Sequence, residues 1–186
     1  MTVKHWTSRT TFSVLIALLA AGTAWAQAQD AGALHVSSTS FADGRNMPQR
    51  LTCDGLDVSP DIQWSAAPAR TQSYAIVMDD PDAPQGFTHW LAYDIPANIH
   101  ALSEGASTPS KRLDHAGEGF NSFGHAGYGG PCPPEGNAHH YVFQVYALDV
   151  NPDLPAGQSE EQLMAAMQGH VLAKGQITGL YARGGE

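Results

Sequence analysis

Two proline-stiffened blocks constrain this chain most. Asp79-Asp80-Pro81-Asp82-Ala83-Pro84 runs on to His89-Trp90, and Gly130-Pro131-Cys132-Pro133-Pro134-Glu135-Gly136 runs on to His139-His140-Tyr141. Proline fixes φ and lacks an amide donor, so neither block can be the middle of a helix or a central strand. Each reads as a rigid loop at a strand end, holding acidic or imidazole groups beside an aromatic ring. Such loops can build a small polar pocket. Gly and Pro punctuate nearly everything else, which leaves room for short strands and little helix.

Strands are expected over residues 34–41, 61–65, 73–79, 88–95, 141–148 and 176–181. Tyr74-Ala75-Ile76-Val77-Met78 and Tyr141-Val142-Phe143-Gln144-Val145-Tyr146 are nearly continuous apolar and aromatic runs with turn-rich flanks. They suit central strands covered on both faces. One helix is expected. Ser159 and Gln162 form a capping box, and Leu163, Met167 and Val171 recur at i, i+4 and i+8 as a core stripe. Glu160 and Glu161 fall in the first turn and Lys174 in the last, with Gly175 just beyond the end. Residues 103–138 hold eight glycines and four prolines with little periodicity. A loop this long inside a domain is usually functional or disordered. Phe120, Phe123 and Tyr128 offer it anchors, so an ordered binding loop is expected.

The N-terminus reads as an export signal. Lys4 and Arg9 precede an apolar run over residues 12–21, and Ala24-Trp25-Ala26 gives the small-x-small pattern of a signal-peptidase site. The run is too short for the ~20 residues of a membrane span. The expected organisation is a signal peptide over 1–26 and one domain over 27–186, periplasmic or secreted, without stable membrane insertion. Against 18 acidic residues stand 9 basic ones, a formal charge of −9 that loss of Lys4 and Arg9 would deepen. That field repels nucleic acid and anionic headgroups at long range, and no basic cluster offsets it. In an oxidising compartment, Cys53 and Cys132 are read as a disulfide, against the alternative of two unpaired thiols.

Asp80, Asp82, His89, His139, His140 and Tyr141 are the candidates for chemistry. A carboxylate beside an imidazole fixes its tautomer. Two imidazoles, with backbone N–H groups from Gly129-Gly130, could bind a phosphate or carboxylate. A hydrolase would want a serine in G-x-S-x-G, and Ser122 in Phe120-Asn121-Ser122-Phe123-Gly124 lacks the first glycine. Asp80, His89 and His139 are acceptable zinc ligands, but no HExxH pattern supports a metal site.

At these residues the chain resembles the phosphatidylethanolamine-binding protein family, also called Raf kinase inhibitor-like, and most closely its exported bacterial branch. Both blocks look like that family's signature regions, as do Cys53-Asp54-Gly55 with Ser59-Pro60 and Trp64, and Gly169-His170-Val171-Leu172-Ala173 with Gly179-Leu180-Tyr181. The resemblance implies a mainly β fold: a large antiparallel Greek-key sheet, a smaller second sheet and a few peripheral helices. It also implies a pocket for small anions and phosphorylated headgroups, with Asp80, Phe87, His89, Pro134, His139 and Tyr141 at pocket positions. His140 stands where arginine is common, which exchanges a fixed charge for a titratable one. The expected function is non-catalytic binding of a small phosphorylated or carboxylate ligand, with no cofactor and no metal. The alternative is an inhibitor or adaptor, of the protease or kinase type, that meets an unidentified protein partner through the pocket rim.

Overall fold

The apolar runs at 74–78 and 141–146 lie side by side at the centre of a large sheet. The computed structural model describes residues 1–2, 32–65 and 67–184. The expected signal peptide beyond its first two residues, and the cut before Gln27, lie outside the described residues. In chain order the elements are β1 (Gly32–Ala33), β2 (Val36–Ser37), β3 (Arg45–Asn46), a 3-10 turn (Gln49–Leu51), β4 (Ile62–Trp64), β5 (Ser73–Asp80), β6 (Phe87–Pro96), β7 (Ala101–Leu102), β8 (Gly117–Glu118), β9 (His139–Leu148), α1 (Glu160–Met167) and β10 (Val171–Tyr181).

The large sheet runs β1-β10-β9-β5-β6-β8, with β3 also beside β10, and β2-β4-β7 form a second sheet. Its central pairings are antiparallel, whereas the short β1 and β3 lie parallel to β10. From β6 the chain passes through the small sheet and β8, then returns on the far side of β5 as β9. That long return gives the sheet its Greek-key character.

Side-chain alternation along β5 sorts the core into two layers. Tyr74, Ile76 and Met78 pack with Trp90, Phe143 and Val145 against Val36, Ile62 and Trp64 of the small sheet. Ala75 and Val77 pack on the other face with Leu91, Tyr93, Tyr146 and Leu148 beneath Leu163 and Met167 of α1. Each of those two helix side chains, removed from water, contributes roughly 1.5–3 kcal/mol.

Two elements differ from expectation. The capping box at Ser159 and Gln162 is present, but α1 stops at Met167. Gly169, at φ 82°, takes the left-handed position after the helix, and Val171, Lys174 and Gly175 belong to β10. Gly175 is required for a different reason: a Cβ there would sit 2.1 Å from the Leu34 carbonyl oxygen. Likewise, 34–41 is not one strand. Ser38, Thr39 and Ser40 turn inward so that their hydroxyl and amide groups donate to the Asp61 carboxylate. Such local bonds compete with ladder pairing, and only Val36–Ser37 remains strand.

Candidate functional site

Sheet register brings the two proline blocks together. β5 ends, and β6 and β9 begin, at the same edge of the sheet, with Asp80 opposite Phe87 and Asp79 opposite both Thr88 and Val142. Between the pairs Met78–Trp90 and Asp79–Thr88 the register slips by one residue, so His89 has no partner on β5. It is the extra residue of a β-bulge, a device that re-aims a side chain at a sheet end. The bulge turns His89 toward the face that carries Tyr141, at 5.1 Å between ring centroids, and Phe87, at 4.9 Å.

Asp80 is the hinge of the first block. Its Oδ1 accepts the amides of Asp82 (2.9 Å) and Ala83 (3.1 Å), which shapes the turn through Pro81. Its Oδ2 lies 2.7 Å from Nδ1 of His139. An ionised carboxylate only accepts, so the hydrogen is on Nδ1 and Nε2 is the ring's other edge. His89 is fixed in the same sense by a different group: its Nδ1 lies 2.7 Å from the Gly129 carbonyl oxygen. Burial lowers the His89 pKa below the ordinary histidine value, and backbone bonding at Gly129 and Gly130 with the Asp80 charge offsets only part of that.

A cavity of about 420 Å³ lies between these groups, lined by Asp80, Asp82, Ala83, Pro84, Phe87, His89, Phe123, Cys132, Pro133, Pro134 and His139. Five of the six expected pocket residues therefore line one space. Tyr141 does not. It is fully buried behind His89, and its hydroxyl has no hydrogen-bond partner among the described residues. Burial first, and then the Asp80 charge, push its pKa well up, so it stays a neutral phenol.

The glycine pair does not act as expected. Gly129 N–H donates to the His89 carbonyl (3.0 Å) and Gly130 N–H to the Asp57 carboxylate (2.6 Å), so neither amide is free for an anion. Their absent side chains matter instead, since a Cβ on Gly130 would lie 2.4 Å from the Leu51 carbonyl oxygen. Asp57, at φ 54°, was not legible as a site-supporting residue; an Asp in a turn-rich stretch is a weak signal. His140, which does not line the cavity, pairs with Asp82 at 2.7 Å, and that bond lowers the Asp82 pKa.

The 103–138 segment forms the second wall. Gly119, Ser122 and Gly129 donate amides to Leu91, Thr88 and His89 of β6, which pins the loop along the sheet edge. Of its three expected anchors only Tyr128 is buried, its hydroxyl donating to the Leu51 carbonyl at 2.7 Å. Phe123 is 44% exposed and Phe120 53% exposed, and Phe123 leans on Phe87 at the cavity rim. Glu118 is the buried polar centre, accepting from Trp90 Nε1, Ser107 Oγ and the Leu113 amide. Cys53 and Cys132 form a disulfide, with Cα atoms 5.5 Å apart and a sequence separation of 79. Closing a loop of that length contributes on the order of 4 kcal/mol in the chain-entropy model. It fastens a cavity wall to the segment before β4.

A sequence profile described as phosphatidylethanolamine-binding protein matches residues 37–182. The chain belongs to the phosphatidylethanolamine-binding protein family. A UPF0098 protein of Aquifex aeolicus is 45% identical over 153 residues, 81% of this chain and 89% of that one. A UPF0098 protein of Methanothermobacter thermautotrophicus is 41% identical over 152 residues, 81% of this chain and all of that one. Among solved structures, YbcL of E. coli, described as a new member of the mammalian family, superposes with a TM-score of 0.74. It is 33% identical and covers 80% of this chain and 98% of its own. The homologue CT736 of Chlamydia trachomatis also gives 0.74 at 33% identity, over 82% of this chain and 99% of its own. The two-sheet architecture is thus that of the phosphatidylethanolamine-binding protein family.

Proposed function

We propose that this member of the family is an exported, non-catalytic binding protein whose cavity takes a small oxyanion, a phosphate or a carboxylate group. The observation that carries the reading is the pair of imidazoles. His89 and His139 line one cavity, and each has its Nδ1 engaged, by Gly129 and by Asp80, so that the Nε2 edges are left for a ligand. A proton on His139 Nε2, with Asp80 as counter-charge, lets that ring donate to an anion. Phe87, Phe123 and Pro134 supply apolar walls. Export accords with the basic-apolar N-terminal pattern and the disulfide. Among the described residues no helix is long and apolar enough to cross a membrane.

A second reading has its own observation. Phe120 and Phe123 are large, exposed and on the loop that walls the cavity, which suits contact with a protein partner at the rim. Calorimetric titration with inorganic phosphate and with phosphorylethanolamine, on wild type, Asp80→Asn and His139→Ala, tests the first reading. Binding should weaken on the order of tenfold in each variant, the loss of one charge-assisted hydrogen bond. Equal affinities in all three proteins would place the site elsewhere.

A further inference from the structure

His89 and His139 line one cavity, each with its Nδ1 engaged by an acceptor. A carbonyl oxygen only accepts, so the 2.7 Å contact with Gly129 O puts the His89 hydrogen on Nδ1. His89 is 3% exposed. Burial disfavours its charged form. A neutral ring with Nδ1–H presents a bare lone pair at Nε2. The remaining acceptors nearby are engaged: Asp80 Oδ1 by two amides, Asp80 Oδ2 by His139, and Asp82 Oδ2 by His140.

A fully deprotonated oxyanion would set lone pair against lone pair at that nitrogen. We infer that the cavity selects a ligand that brings its own proton to His89 Nε2: a hydrogen-phosphate group, with P–OH donating to His89 and, when the His139 ring carries a second proton on Nε2, P–O⁻ accepting from it. The inference rests on the oxyanion reading of the cavity and narrows its ligand class. Inorganic phosphate keeps at least one P–OH through the neutral range. A monoester has one only as its monoanion, since its second pKa is ~6. Sulfate has none at neutral pH and nearly the same size and shape, and a phosphodiester also has none. A site built to accept a hydrogen bond from a ligand hydroxyl rejects analogues that lack it, because its polar group is then left buried and unpaired.

The test compares sulfate, inorganic phosphate and dimethyl phosphate by calorimetry at pH 7.5 on the whole disulfide-bonded protein. Imidazole nitrogen NMR of the unliganded protein runs alongside. Phosphate should bind on the order of tenfold tighter than sulfate or dimethyl phosphate. His89 Nε2 should carry a non-protonated, pyridine-like resonance that moves when phosphate is added. His89→Gln, whose amide can turn its NH₂ to the ligand, should lose the preference; the NMR measurement needs no variant and stands if that protein fails to fold. Sulfate binding as tightly as phosphate, or a protonated His89 Nε2 in the free protein, overturns the inference and leaves the oxyanion reading intact. No binding of any of the three overturns both.

Discussion

Asp79 and Asp80 are consecutive residues of one strand, and the sheet gives them opposite surroundings. Asp80 points to the cavity face, where two amides and an imidazole satisfy its oxygens. Asp79 points to the helix face, beneath α1, where the Glu160 charge acts on it and its Oδ1 has no partner among the described residues. The Thr88 hydroxyl, beside both acids, donates to Glu160. Burial, and then the Glu160 charge, push the Asp79 pKa up to about 7. A period of two along the strand therefore separates an organising carboxylate from a frustrated one. Removing the first should harm the protein, and neutralising the second should help it.

The largest effect is expected at Asp80. Asp80→Ala removes the acceptor of three donors at once, and it leaves the Asp82 and Ala83 amides and the His139 Nδ1–H without it. Breaking a buried pair from one side costs about 3 kcal/mol, more than the pair itself is worth, because the remaining partner loses its compensation. Urea unfolding at pH 7 should show a drop of that size with an unchanged m-value. A loss under about 1 kcal/mol would mean that the turn through Pro81 is held by proline alone.

Asp79→Asn should move stability the other way, by a gain that builds up as pH rises from about 4 through about 7. A carboxyl whose folded pKa is raised holds its proton more tightly when folded. Below the unfolded pKa, near ~4, both states are protonated and the group contributes nothing. As pH rises from there through about 7, the unfolded state ionises first and wild-type stability falls. After discounting for the solvent contact that Asp79 keeps, the gain in Asp79→Asn should be about 1 kcal/mol at pH 8 and near zero at pH 4. Denaturant midpoints at the two pH values decide it. An equal gain at both would assign the effect to packing.

The contrast also marks what a reader of the sequence could see. Asp80, His89 and His139 stand out because prolines flank them and leave few roles for a polar side chain. Central strands were legible at 74–78 and 141–146 because their apolar runs are long and bounded by turns. The bulge at His89 was not, since a register slip depends on hydrogen bonding to a strand on another part of the chain. Nor could local pattern tell Gly169 from Gly175. Both are glycines near the end of an apolar stripe. One is needed for its positive φ and the other for close approach of the Leu34 backbone, far away in sequence. Gly129 and Gly130 looked like anion-binding amides for the same reason: their actual acceptors, His89 and Asp57, come from distant segments.

The smallest effect isolates burial from geometry. Asp82–His140 and Asp80–His139 share a donor–acceptor distance of 2.7 Å. Their side chains are 41% and 56% exposed in the first pair, against 4% and 16% in the second. The first pair sits in high dielectric, where water competes for both partners and salt screens them. Asp82→Asn keeps an oxygen to accept the His140 amide, so only the charge is lost. Its stability should change by no more than about 0.5 kcal/mol, and that difference should shrink further in 0.5 M salt, where the screening length falls to roughly 4 Å. Chemical denaturation of Asp82→Asn and Asp80→Asn side by side, at low and high salt, reads the comparison directly. If the exposed pair proved as sensitive as the buried one, distance rather than desolvation would govern both, and the division drawn along β5 would fail with it.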